Sequence, residues 1–124
     1  MSESPAHFSD QRPVTTLGPL SVTRVGQEWR FRLCSPGEML LELPQDYEHQ
    51  LAEGLRPLLS SGDKPPVVLD LQGLPALSSR QLGLMLVLHK ALRSRYERLP
   101  VSGVSPGVRH LLELTRTAQF FDVS

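Results

Sequence analysis

The sequence predicts a single α/β domain: a mixed four- to five-stranded sheet with helices packed mainly on one face. Three observations predict it. Residues 20–33 carry strand-like alternation around a turn, residues 67–71 form a near-continuous apolar run, and helix-patterned segments alternate with the later strands. Strands alternating with helices imply parallel pairs, with the helices laid across the sheet. At 124 residues the chain holds one domain and can build a hydrophobic core without a disulfide or metal staple.

Taken in order, residues 1–16 are polar, carry prolines and show no periodicity; they are expected to form a flexible arm before a domain spanning 17–124. Residues 20–25 and 29–33 read as two strands around Gly26-Gln27-Glu28. Trp29, Phe31 and Leu33 alternate with Arg30 and Arg32, which gives one buried and one wet face. Ser35-Pro36-Gly37 signals a turn, and residues 38–43 fit either a third strand or the lead-in to a helix. Residues 45–59 set Tyr47, Leu51, Leu55, Leu58 and Leu59 on one helical face, and Pro57 should kink or shorten the end.

Residues 67–71 suit a central strand buried on both faces. A helix is expected from about Ser79 to Arg95. Its first half is apolar nearly all round (Leu82, Leu84, Met85, Leu86, Val87, Leu88) and should be well buried, while its second half is basic. Residues 99–104 form a short strand that Pro100 pushes towards an edge position. Ser105 and Pro106 open the last helix as N-cap and first helical residue. Its inward side is Val108, Leu111, Leu112 and Thr115, and Phe120 and Phe121 anchor the C-terminus on the core.

Thirteen basic and thirteen acidic side chains balance, so the overall charge gives no reason to expect a polyanionic partner. The halves differ: residues 1–70 carry a net charge of −4 and residues 71–124 one of +4. Lys90, Arg93, Arg95 and Arg98 hold most of the basic excess. They fit the solvated end of a helix, where cations suit the dipole, or a docking surface for an acidic protein. Nucleic acid fits less well, because only Tyr96 supplies an aromatic ring nearby. The lone Cys34 cannot form an internal disulfide. With no signal-peptide pattern, that thiol points to a cytoplasmic location, and the longest apolar stretch is too short to span a bilayer.

No cofactor, metal site or catalytic residue is expected. Gly-rich phosphate loops are absent, and His7, His49, His89 and His110 are spaced without a metal pattern. Ser79 at a strand-to-helix turn lacks the G-x-S-x-G frame of a nucleophile elbow, which leaves a small hydrolase or transferase as a remote reading.

The most informative segment runs from the strand at Leu69 and Asp70 through Gly73 to Ser78, Ser79, Arg80, Gln81, Leu82 and Gly83. Ser78-Ser79-Arg80-Gln81 fits a capping box, with serine and glutamine each bonding the other's backbone amide. The segment resembles the STAS family of sulfate transporters and anti-sigma factor antagonists, in which a strand ending Asp-Leu-Ser-Gly is followed by Asp-Ser-Ser-Gly-Leu-Gly at a helix start. The likeness continues through residues 86–90, Gly103-Val104-Ser105-Pro106-Gly107-Val108-Arg109, residues 111–115 and the terminal Phe120-Phe121-Asp122.

That resemblance implies a non-enzymatic protein-binding module of the anti-sigma factor antagonist type, active in bacterial transcription regulation. It would dock on an anti-sigma factor or regulatory serine kinase through residues 78–83. A structural or sensory subunit of a signalling complex is the alternative. Aligned on Leu82 and Gly83, the family's aspartate falls on Ser78 and its first serine on Ser79. The usual phosphate acceptor falls on Arg80, and a guanidinium cannot accept a phosphoryl group. Three readings follow for the serine pair: helix-start chemistry alone, phosphorylation at Ser79 or Ser78, or a constitutive docking surface around Arg80.

Overall fold

Leu20, Val22, Trp29 and Phe31 alternate with polar neighbours, and this period-two pattern makes the first half of the chain a sheet. The computed structural model describes residues 13–33, 45–60 and 62–123. Three strands lead: β1 (Pro13–Leu17), β2 (Leu20–Val25) and β3 (Glu28–Leu33). Helices α1 (Tyr47–Gly54) and α2 (Arg56–Leu59) precede β4 (Val67–Asp70). Then come α3 (Ser79–Leu92), β5 (Leu99–Ser102), α4 (Pro106–Leu114), a 3₁₀ turn at Ala118–Phe120, and β6 (Phe121–Val123). The ambiguous segment 34–43, with Cys34, lies outside the described residues, as does most of the expected arm.

The strands lie in the order β1-β2-β3-β4-β5-β6. β1–β2 and β2–β3 pair antiparallel, whereas β3–β4, β4–β5 and β5–β6 pair parallel. Each crossover from β3 onward steps the same way along the sheet. Right-handed connections that never reverse direction must lay their helices on the same face. The α/β class, the mixed sheet and the one-sided helices therefore match expectation.

The register accounts for the core. Val22 pairs with Phe31, Phe31 with Leu69, Leu69 with Val101, and Leu99 with Phe121. Directly paired residues point to the same side, so these side chains form one apolar row under the helices. Tyr47, Leu51, Leu58, Leu84, Met85, Leu88, Leu92, Val108 and Leu112 close the core from the helical layer. Burying each large apolar side chain stabilises the fold by about 1.5–3 kcal/mol.

Several expectations are corrected. Among the described residues the sheet has six strands, because each edge gains one beyond the four plainest in the sequence. β1 begins at Pro13, inside the segment assigned to the arm, and residues 121–123 are a parallel strand as well as an anchor. β4 is buried on one face only: Val67 and Leu69 are buried, while Val68 and Asp70 are half-exposed on the helix-free side. β5 is an interior strand. Its pairing with β4 starts at Leu69 and Val101, after Pro100, so the missing donor costs only an unformed first rung. The helix expected over 45–59 breaks at Leu55. The long helix ends at Leu92 rather than Arg95, and Thr115 caps α4 from an exposed position.

Candidate functional site

The turn from β4 into α3 is built by short-range bonds that its sequence dictates. Asp70 ends β4 and its Oδ1 accepts the amide of Gln72 at 3.0 Å. The Leu74 amide donates to the Leu71 carbonyl at 3.1 Å, and Gly73 takes a φ of +89°. Ser78 then starts the helix with its backbone extended, at φ −78° and ψ 164°. Its hydroxyl accepts the Gln81 amide at 3.0 Å, and its own amide donates to Gln81 Oε1 at 2.9 Å. The capping box read in the sequence is thus complete. Gln81 is 0% exposed, so its side chain belongs to the buried scaffold of the turn and not to the surface.

A second turn holds this one in place. Gly103, at φ +69°, follows β5, and a Cβ there would stand 2.7 Å from the Gln72 backbone. Ser105 caps α4 by accepting the Val108 amide at 3.2 Å, and its hydroxyl donates to the Pro75 carbonyl at 3.1 Å. The loop before α3 therefore rests on the start of α4. Gly103 and Ser105 were legible only as turn and cap; their contact with residues 72–75 is long-range and leaves no local signal.

Helical spacing distributes the remaining residues of the motif. Gln81, Leu84, Met85, Leu88 and Leu92 face the core. Ser79, Gly83, Leu86 and Lys90, at i, i+4, i+7 and i+11, lie on the opposite face. Leu82 and Val87 flank that row and are half-exposed, which corrects the expectation that this half is buried all round: one sheet face covers only one side of a helix. Ser78, Ser79 and Arg80 are exposed at the helix start. A Cβ on Gly83 would meet nothing within 4 Å. The structure thus brings Ser78, Ser79, Arg80, Leu82 and Gly83 to one surface, next to the apolar side chains of Leu86 and Val87, and withdraws Gln81 from it.

The basic cluster divides into separate roles. Arg95 turns inward and donates to the carbonyls of Leu58, Leu59 and Asp63 at 2.9, 3.2 and 2.9 Å, closing the end of α2. Lys90 pairs with Glu48 at 3.0 Å. Arg98 donates to the Phe121 carbonyl at 2.9 Å, and Arg93 is exposed. His89 is half-buried beside Phe120, and His110 is exposed. Among the described residues no three His, Cys, Asp or Glu side chains come together as a metal site, and no helix is long and apolar enough to cross a membrane.

A comparison with curated proteins finds no match. The family model described as "Mlab, STAS domain" matches residues 42–122, which takes in β4, β5, most of β6 and the whole α3 turn. On that match and this fold, the chain belongs to the STAS domain family.

Proposed function

We propose that this protein is a non-catalytic regulatory module that docks a protein partner through the first turns of α3 and the loop before it. STAS domains generally mediate protein–protein interactions, and they suggest a module of the anti-sigma factor antagonist kind. The observation that carries the reading is the exposed face of α3. Ser79 and Gly83 are small and leave room for close approach, Leu82, Leu86 and Val87 offer apolar contact, and Arg80 adds a cation at the rim. Apolar centre with polar rim is the general anatomy of a protein interface. The partner we infer is an anti-sigma factor or a regulatory serine kinase, and the setting is bacterial and cytoplasmic.

The same turn favours docking without a phosphoryl switch. The Ser78 hydroxyl is engaged in the cap, and Arg80 occupies the position where the family usually carries its acceptor. Ser79 is the remaining exposed hydroxyl at the helix start. This supports a second reading, a constitutive subunit of a multi-protein signalling complex with no sigma factor. Affinity capture from the native source, with wild type and Arg80→Glu, tests both. Recovery of an anti-sigma factor supports the first reading and a sensor assembly supports the second; either complex should be lost with Arg80→Glu. Full retention by the variant refutes the site. Efficient phosphate incorporation at Ser78 or Ser79 by a captured kinase would overturn the constitutive mode.

A further inference from the structure

The far end of α3 carries a groove that the docking face does not use. It lies between the last turn of that helix, the approach to β5 and the 3₁₀ turn before β6, with a volume of about 810 Å³. Its aromatic wall is the tilted pair of His89 and Phe120, with ring centroids 5.1 Å apart. The His89 Nε2 lies 3.0 Å from the Glu97 carbonyl, which ties the ring to the segment that leads into β5. Arg93 and Arg98 stand on the rim, both exposed, against the single carboxylate of Glu97. Arg98 is held in place by its bond to the Phe121 carbonyl. Long arginine side chains lay apolar stems along such a wall while their charged heads stay in water. At 1.5 Å per residue, α3 sets this groove about 20 Å from Ser78.

We propose that this groove is a second interaction site, and that it takes an acidic protein segment bearing an apolar side chain. The apolar side chain would lie on the Phe120 and His89 rings, and flanking carboxylates would meet Arg93 and Arg98. Charge complementarity selects this occupant: of the groove's formally charged side chains two are guanidinium and one carboxylate, and bidentate carboxylate pairing is the geometry guanidinium serves best. The site stands at the opposite end of α3 from the proposed docking face, so the module would hold two partner segments at once, one at each end.

The test is a titration of the full, isotope-labelled protein with a peptide in which glutamates flank a phenylalanine and a leucine, followed by amide NMR. The expected result is saturable shifts at His89, Arg93, Gln119 and Phe120, with Ser78–Gly83 unmoved. Arg93→Glu and Phe120→Ala should each weaken binding at least tenfold, and Arg80→Glu should leave it unchanged. Arg93 makes the cleaner variant, because Arg98 also secures β6. Equal binding of a peptide with lysine in place of glutamate would overturn the proposal, as would shifts confined to residues 78–83. So would absence of peptide binding together with Arg93-dependent binding to phosphatidylglycerol vesicles, which would reassign the groove to a lipid surface.

Discussion

Replacing Gly103 by alanine tests whether the α3 turn is locked by the turn beneath it. Two costs act at this position. The backbone sits at φ +69°, and a left-handed conformation costs an L-residue about 1–2 kcal/mol. The new Cβ would also stand 2.7 Å from both the Cα and the amide nitrogen of Gln72. Those are backbone atoms, so no rotamer change relieves the contact; overpacking of this kind costs about 1–3 kcal/mol. Gly73 is the internal control. It has φ +89°, but a Cβ there meets nothing within 4 Å. Gly73→Ala should therefore cost about 1–2 kcal/mol and Gly103→Ala about 2–5 kcal/mol. For a chain of this size each kcal/mol lowers Tm by about 4 °C. Urea unfolding followed by circular dichroism resolves the difference. Equal losses for the two variants would refute the claim that the two turns touch.

Three further outcomes follow from the same geometry. Ser78→Ala should cost about 1 kcal/mol by removing the cap on Gln81, whereas Ser79→Ala should stay within about 0.5 kcal/mol; chemical denaturation separates them. Arg95→Met should cost about 2 kcal/mol, because three carbonyls lose a charged donor, while Arg93→Ala should be neutral within about 0.5 kcal/mol. Burial pushes the Tyr96 phenol up, partly offset by Arg95, and its hydroxyl donates to the Pro65 carbonyl. A raised phenol stabilises the fold below its unfolded value near pH 10 and loses that contribution as pH climbs above it. Tyr96→Phe should therefore be less stable at neutral pH yet show a flatter alkaline limb in pH-dependent unfolding.

Much of this architecture was legible because local pattern and tertiary role agree. Trp29 and Phe31 alternate with arginines and do face the core, and Ser78 and Ser105 announce both helix starts. The failures have physical reasons. Val67-Val68-Leu69 reads as doubly buried, but Val68 faces the side without a helix, and a β-branched residue suits a half-exposed strand equally well. β6 is three residues long and gains its identity only by pairing with β5. The apolar surround of α3 concealed its exposed row, since composition alone does not reveal which side meets the sheet. Gln81 was read as a surface member of the motif, but the cap that its side chain completes draws it inside. The arginines near residue 95 look alike in sequence, and only long-range carbonyls single out Arg95.

The most direct test of the proposed docking face is Gly83→Arg. A Cβ at this position would meet nothing within 4 Å, so the substitution starts into open space, and relief of helical glycine should hold or raise stability by up to about 1 kcal/mol. The same side chain would project from the middle of the exposed α3 row. Calorimetric titration of the variant against the partner captured by wild type should show an unaltered fold and binding weakened at least a hundredfold. A correctly folded Gly83→Arg protein that binds this partner with wild-type affinity would contradict the account.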